Sequence, residues 1–324
     1  MAKPEPPLRQ NGEKDALLSN VALLYYGEGL TQGDIAKRMK VSRATIVNML
    51  RESRELSIVD IRVDGKNLKG SNLSRDLREK FELEDVYVAL TGEGASTSRQ
   101  SNLPQLARVA ATAILDVVEP GDRVGVAWGE TVLAMANEMP RTLVGRVEIR
   151  QLIGSMISTR VPASENCAIQ IANKLGANCY TLHAPGLIST AALATTFRAE
   201  PTIAEQLGRL RALDMTIASI GNIRPDTHLA AAGMATAAEL DAARAAGAVG
   251  VICCRYIDAM GNEIALPPHD RLIAADLRDL LAARKRLLAV CGKDRGPATL
   301  AAIRGRLVTH LCVDHGLARY LIEA

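Results

Sequence analysis

Aromatic residues are scarce: the 324-residue chain holds one Trp, six Tyr and two Phe. That argues against a surface of base-stacking rings, the usual means of holding single-stranded nucleic acid, and leaves duplex DNA open. A surplus of one charge sign is also missing, since 39 basic and 36 acidic side chains leave a net charge of +3. Any nucleic-acid contact must therefore be local. The six cysteines contain no Cys-x-x-Cys spacing and sit mostly in apolar runs, which reads as small buried thiols rather than disulfides or metal ligands. His183, His228, His269, His310 and His315 show no metal-site spacing either, so no metal is expected. The start MAKPEPPLRQNGEKD lacks the apolar segment of a signal peptide, and no long uncharged apolar run follows. The expectation is a cytoplasmic protein in a reducing environment, with no membrane partner.

Hydrophobic residues make up 48% and charged residues 23% of the chain, close to the average of folded proteins. Disorder, collagen-like repeats and coiled-coil rods are excluded on that ground. The length suits about two domains.

The first sixty residues form one pattern. After a polar tail over 1–14, read as disordered, Leu17, Leu18, Val21, Leu24 and Tyr25 recur at helical spacing until Gly27 and Gly29 end the run. Thr31 and Asp34 form a Thr-x-x-Asp capping box that opens a short helix with Ile35, Ala36 and Met39 inward. Lys40 and Val41 turn the chain, and Ser42 caps a third helix with Ile46, Met49, Leu50, Ser53 and Leu56 on one face. Its other face carries Arg43, Thr45, Val47, Asn48 and Arg51. Two short helices joined by a tight turn, the second with a polar, basic exposed face, match a helix-turn-helix entering a major groove. Thr31 and Gln32 suit phosphate contacts, while Arg43, Thr45, Asn48 and Arg51 suit base edges or flanking phosphates, and Ser42 belongs to the same set. An apolar, β-rich run over 58–63 predicts a short wing-like strand. The run LLYYGEGLTQGDIAKRMKVSRATIVNMLRESRELSIVDIRV, with its Tyr-Tyr, Leu-Thr-Gln and Val-Ser-Arg, resembles the helix-turn-helix of the SorC family of sugar-responsive bacterial transcriptional regulators.

Residues 64–72 are polar and Gly-bearing and read as a linker. From 73 to 324, the apolar runs DVYVAL, RVGVAW, VEIRQLI, NCYTLH, MTIASIG, VGVICCR, RLLAVC and LVTHLCV alternate with helical patterns. This predicts a Rossmann-like α/β domain, a largely parallel sheet covered on both faces. Small molecules bind such sheets beyond the carboxyl ends of the strands. The loops expected there carry Gly129, Glu130 and Thr131, then Gly154 and Ser155, Gly221, Asp258, and finally Lys293 and Arg295. Gly129 permits close backbone approach, and helix-start N–H groups with the Thr131 hydroxyl attract an anion. Each loop alone also fits an ordinary structural turn. Neither a Walker A loop nor Gly-x-Gly-x-x-Gly occurs, so no nucleotide cofactor is expected.

The stretch from about 68 to 324 is similar to the effector domain of the same family, whose fold resembles sugar-phosphate isomerases and deaminases. The resemblance implies that Gly129, Glu130 and Thr131 contact a sugar, polyol or sugar-phosphate effector, with Glu130 opposing a dianion. It also matches Asn166 to a polar position that lines the pocket, although a helix cap fits that residue equally. Arg295 stands where the family commonly has a lysine. The main expectation is a non-enzymatic regulator of carbohydrate or polyol catabolism that binds double-stranded operator DNA as a homodimer or homotetramer. The alternative is an isomerase- or deaminase-like enzyme using Glu130, Asp258 or His183.

Overall fold

The computed structural model describes residues 12–56, 58–59, 65–90, 98–156, 163–225 and 227–324. The chain divides into two compact units, Met1–Arg62 and Val63–Ala324. No helix among the described residues is long and apolar enough to cross a membrane.

The first unit contains α1 (Gly12–Ala22), α2 (Gln32–Met39) and α3 (Arg43–Glu55). Residues Leu23–Gly27 extend α1 by a wider π-helical turn. Gly12, Glu13 and Lys14, expected to be disordered, are helical, and 1–11 lie outside the described residues. Val21, Ile35, Ala36, Ile46 and Leu50 form the core, and burying each larger aliphatic side chain favours folding by about 1.5–3 kcal/mol. Met49 is only half-buried and Leu56 is 44% exposed, so the apolar face of α3 fades toward its end. The wing-like strand falls largely outside the described residues. Its two described positions, Ile58 and Val59, form a bend whose N–H groups both donate to the Ser53 carbonyl.

In the second unit, Gly65–Leu68 make one helical turn within the segment read as a linker. Gly65 packs so close to Thr112 and Asp116 that an added Cβ would lie 3.2–3.3 Å from them. Lys69 then ion-pairs with Asp85 and Asp116, both at 2.8 Å. Seven strands build the main sheet, all in parallel pairs: β1 (Asp85–Ala89), β2 (Arg123–Val126), β3 (Glu148–Gln151), β4 (Asn178–Tyr180), β5 (Met215–Ala218), β9 (Lys285–Val290) and β10 (His310–Asp314), in the order β1-β10-β9-β5-β2-β3-β4. Their near-continuous apolar sequences fit strands covered on both faces; all four residues of β5 are buried.

The run VGVICCR departs from expectation. It supplies β6 (Gly250–Ile252) of a separate antiparallel sheet with β7 (Arg255–Ile257) and β8 (Glu263–Ile264). Cys253 and Cys254 form the two-residue turn between β6 and β7, both left-handed with φ of 47° and 62°, the conformation that matches hairpin twist. Successive strands run outward from β2 to β4 in one direction and from β5 through β9 to β10 in the other. The order therefore reverses between β2 and β5, and the crevice beyond their carboxyl ends is where such sheets take ligands.

Candidate functional sites

In the first unit, the caps set the geometry. Thr31 Oγ1 accepts from the Asp34 N–H at 3.2 Å and donates to Asp34 Oδ2 at 2.6 Å. Half of the expected box is thus present, with the carboxylate held by the hydroxyl. Lys40 ends α2 in the left-handed region, φ 56°, and the Val41 N–H donates to the Ala36 carbonyl at 3.0 Å. Ser42 Oγ accepts from the Thr45 N–H at 3.0 Å. Ile46 and Leu50 then point inward, leaving Arg43, Val47, Asn48 and Arg51 exposed on α3 and Thr45 half-buried. Arg43 Nε reaches Gln32 Oε1 at 3.4 Å, joining the start of α2 to the start of α3. Arg51 faces Glu55 at 3.6 Å, a weak exposed pair that a phosphate can displace.

In the second unit, two strand-end loops and the start of a helix meet. After β2, Trp128 is buried and Gly129 adopts φ 124° and ψ 168° at the start of helix Glu130–Glu138. A Cβ added to Gly129 would meet nothing within 4 Å, so space lies open at this helix start. After β9, Gly292 (φ 103°) precedes Lys293–Arg295 and helix Gly296–Arg304. The third contributor is Arg99, which begins the helix that follows β1 and which the sequence reading missed. Its guanidinium donates to Glu130 Oε2 and, at 3.3 Å, to Thr131 Oγ1. A Cβ at Gly292 would lie 3.4 Å from an Arg295 guanidinium nitrogen and 3.5 Å from Arg99 Cβ, so Gly292 lets the two arginines approach. Burial lowers the Arg295 pKa, and the Arg99 charge lowers it further.

His228, also missed, stacks edge-on against Trp128 with ring centroids 5.0 Å apart. Burial, then the charges of Arg295 and Arg99, depress its pKa to about 4, so the ring is neutral near pH 7.

The remaining expected residues divide. Arg295 and Thr131 belong to the crevice, and the Gly129 carbonyl lies 3.9 Å from Cys167 Sγ on helix Ser164–Leu175. That contact brings the start of this helix, with exposed Asn166, beside the Gly129 loop. Lys293 is exposed, its ammonium 5.8 Å over the Tyr320 ring. Gly154 and Gly221 have structural work instead. An added Cβ would come within 2.4 Å of the Ala184 carbonyl oxygen at Gly154 and 2.5 Å of the His228 ring at Gly221. Ser155, with Met156, His183, Pro185 and Met234, lines an open pocket of about 590 Å³. Asp258 closes the turn between β7 and β8: its carboxylate accepts from the Met260 and Asn262 N–H groups at 2.8 and 2.9 Å. Hydrogen bonding, led by the Asn262 side chain, lowers its pKa. Among the described residues, no group of three or more His, Cys, Asp or Glu could hold a metal.

Comparison with known proteins identifies the family. Residues 66–323 match the family model of the Sugar-bind domain. The chain is 33% identical to the transcriptional regulator YjhU of Escherichia coli K12, over 92% of both chains. It is 28% identical to the deoxyribonucleoside regulator of Bacillus subtilis, over 96% of this chain and 98% of that one. The crystal structure of the full-length sorbitol operon regulator SorC from Klebsiella pneumoniae superposes with a TM-score of 0.69 at 24% identity, covering 96% of this chain and 99% of that one. These relatives are named as regulators rather than enzymes.

Proposed function

Because this chain belongs to the SorC family of sugar-binding transcriptional regulators, we propose that α3 reads operator DNA while the crevice beyond β2, β5 and β9 binds a small carbohydrate-derived effector. The observation that carries this reading is the convergence of Arg99, Thr131, His228 and Arg295 around the open Gly129 loop. Two guanidinium groups, a hydroxyl and a neutral imidazole are the donors and acceptors a hydroxylated, acidic molecule requires. Asn166 supplies a further polar side chain beside the Gly129 loop, whereas Ser155 belongs to the other pocket with His183. Arg43, Asn48 and Arg51 contact base edges or phosphates, while Thr31, Gln32, Ser42 and Thr45 fix the register of α3.

Control needs no reaction: an effector that binds one arrangement of the protein better than another shifts the population toward it. The enzyme alternative is disfavoured because the three candidate acids and bases are dispersed. Asp258 is taken up by a hairpin turn, Glu130 is paired with Arg99, and His183 lines the separate pocket. The protein acts in the cytoplasm as a homodimer or homotetramer, since one helix-turn-helix covers too little DNA for specificity. Its half-sites lie about one helical turn, or a multiple, apart. By analogy with its relatives, the controlled genes serve carbohydrate or polyol catabolism.

A pair of substitutions separates the two sites. Arg43→Ala weakens operator binding by about 1–3 kcal/mol if it reads a base, leaving effector affinity unchanged. Thr131→Val weakens effector binding and leaves effector-free operator binding intact. Unchanged operator binding in the first, or overlapping effector titrations in the second, contradicts the respective assignment.

A further inference from the structure

We propose that the Glu130 carboxylate sets the charge of the effector, so that the crevice accepts a polyol bearing one carboxylate in preference to a phosphate monoester. The proposal rests on the crevice being the effector site.

The charges in the crevice are nearly balanced before any ligand arrives. Arg99 is held by Glu130, and Arg295 lies 3.1 Å from Asp294. Asp294 is held in turn by the Asn222 side-chain amide at 2.7 Å. Asp314 is occupied by the N–H groups of Gly292 and Leu317. Lys293 lies over the Tyr320 ring, and the depressed pKa of His228 leaves it uncharged near neutrality. What remains for an incoming anion is the partial positive charge of the helix start at Gly129, the Thr131 hydroxyl, and the field of two arginines whose counter-ions stay in place. One negative charge suits that field.

A phosphate monoester brings about 1.5–2 negative charges at neutral pH. At the Gly129 loop it would stand next to Glu130, the residue that begins the same helix. It must either displace that carboxylate from Arg99 or bear its repulsion, and both weaken binding. Glu130 is 58% exposed on its side chain, whereas Arg99 is 27% exposed. The carboxylate is therefore the solvent-facing member of the pair, and the guanidinium the more buried one. Gln at this position still accepts a hydrogen bond from Arg99 but carries no charge.

The test uses the full chain with two simple anions, inorganic phosphate at about pH 8 and acetate, read by melting temperature and calorimetric titration. Wild type is compared with Glu130→Gln and with Glu138→Gln, the latter removing a carboxylate that pairs with Arg108 at the far end of the same helix. Glu130→Gln should respond to phosphate at roughly tenfold lower concentration than wild type and to acetate at roughly threefold lower, in proportion to the charges of the two anions. Glu138→Gln should match wild type for both. Equal phosphate responses in wild type and Glu130→Gln, including none in either, overturn the proposal. Equal gains for phosphate and acetate also overturn it, because the carboxylate would then be a steric plug. An anion-free circular-dichroism spectrum and a cooperative unfolding transition like those of wild type establish that Glu130→Gln is folded. If anion selectivity does not change while a neutral sugar still alters operator affinity, the charge gate is wrong and the effector reading stands.

Discussion

Replacing Gly129 with Ala tests the crevice at its most constrained backbone position. At φ 124° and ψ 168°, Gly129 occupies a region that residues with a Cβ almost never enter. Such strain costs about 1–3 kcal/mol. Nothing lies within 4 Å of the added methyl, so the cost is torsional and no clash adds to it. A loss of that size lowers the melting temperature of the second unit by about 2–4 °C per kcal/mol. Gly121→Ala is the matched control: its φ is 92°, its added Cβ also meets nothing within 4 Å, and it lies in the turn before β2, at the opposite end of that strand. Thermal unfolding followed by circular dichroism should show both variants destabilised. Effector titration should show only Gly129→Ala weakened, because its methyl projects into the space the ligand fills. An unchanged melting temperature in Gly129→Ala would refute the backbone argument, and equal effector affinity in the two variants would remove this loop from the site.

Two further predictions concern the framework around the crevice. His228 titrates below its ordinary 6.5, at about 4, so the unfolded chain takes up the proton first; its contribution is intact above pH 6.5 and is lost as pH falls toward 4, by at most about 3 kcal/mol. Denaturant titrations across that window should show a shallower pH slope in His228→Gln, and parallel slopes would contradict the assignment. At the amino end of β9, Lys285 lies 2.6 Å from buried Asp122 and 2.9 Å from Glu119. Lys285→Met leaves Asp122 unpaired and should cost about 3–5 kcal/mol, partly recovered by adding Asp122→Asn; a loss below 1 kcal/mol would show that water already reaches the pair.

The sequence exposed the features that depend on local chemistry. Thr31 and Ser42 cap where their side chains say they should, because a hydroxyl before a helical run satisfies free N–H groups in any context. Seven of the eight apolar runs became strands of the parallel sheet, central ones such as β5 being buried throughout, while β4 at the edge is exposed at Asn178 and half-buried at Cys179 and Tyr180. The exception, VGVICCR, has the same texture, and nothing local distinguishes a central parallel strand from one arm of a buried hairpin. Glycines were ambiguous for a similar reason. Gly129 faces open space, whereas Gly154 and Gly221 admit neighbouring protein atoms, and only the fold separates those uses. Asp258 followed a strand as expected, but that strand belongs to the smaller sheet and its carboxylate closes a turn. Arg99 was within reach: it begins a helix after a Gly-, Ser- and Thr-rich segment that follows β1, the same strand-loop-helix signal that drew attention to Gly129. His228 was not, because its role depends on a Trp one hundred residues away.

The central claim is that one chain couples an operator-reading helix to an effector crevice. The most direct test measures operator affinity of the full-length protein with and without a sugar, polyol or sugar acid selected by thermal shift, then measures affinity for that compound with and without operator DNA. Linkage requires the two factors to be equal, and the account predicts equality, with the compound recovered chemically unchanged. A compound that is consumed, or one that binds tightly without altering operator affinity, would contradict it.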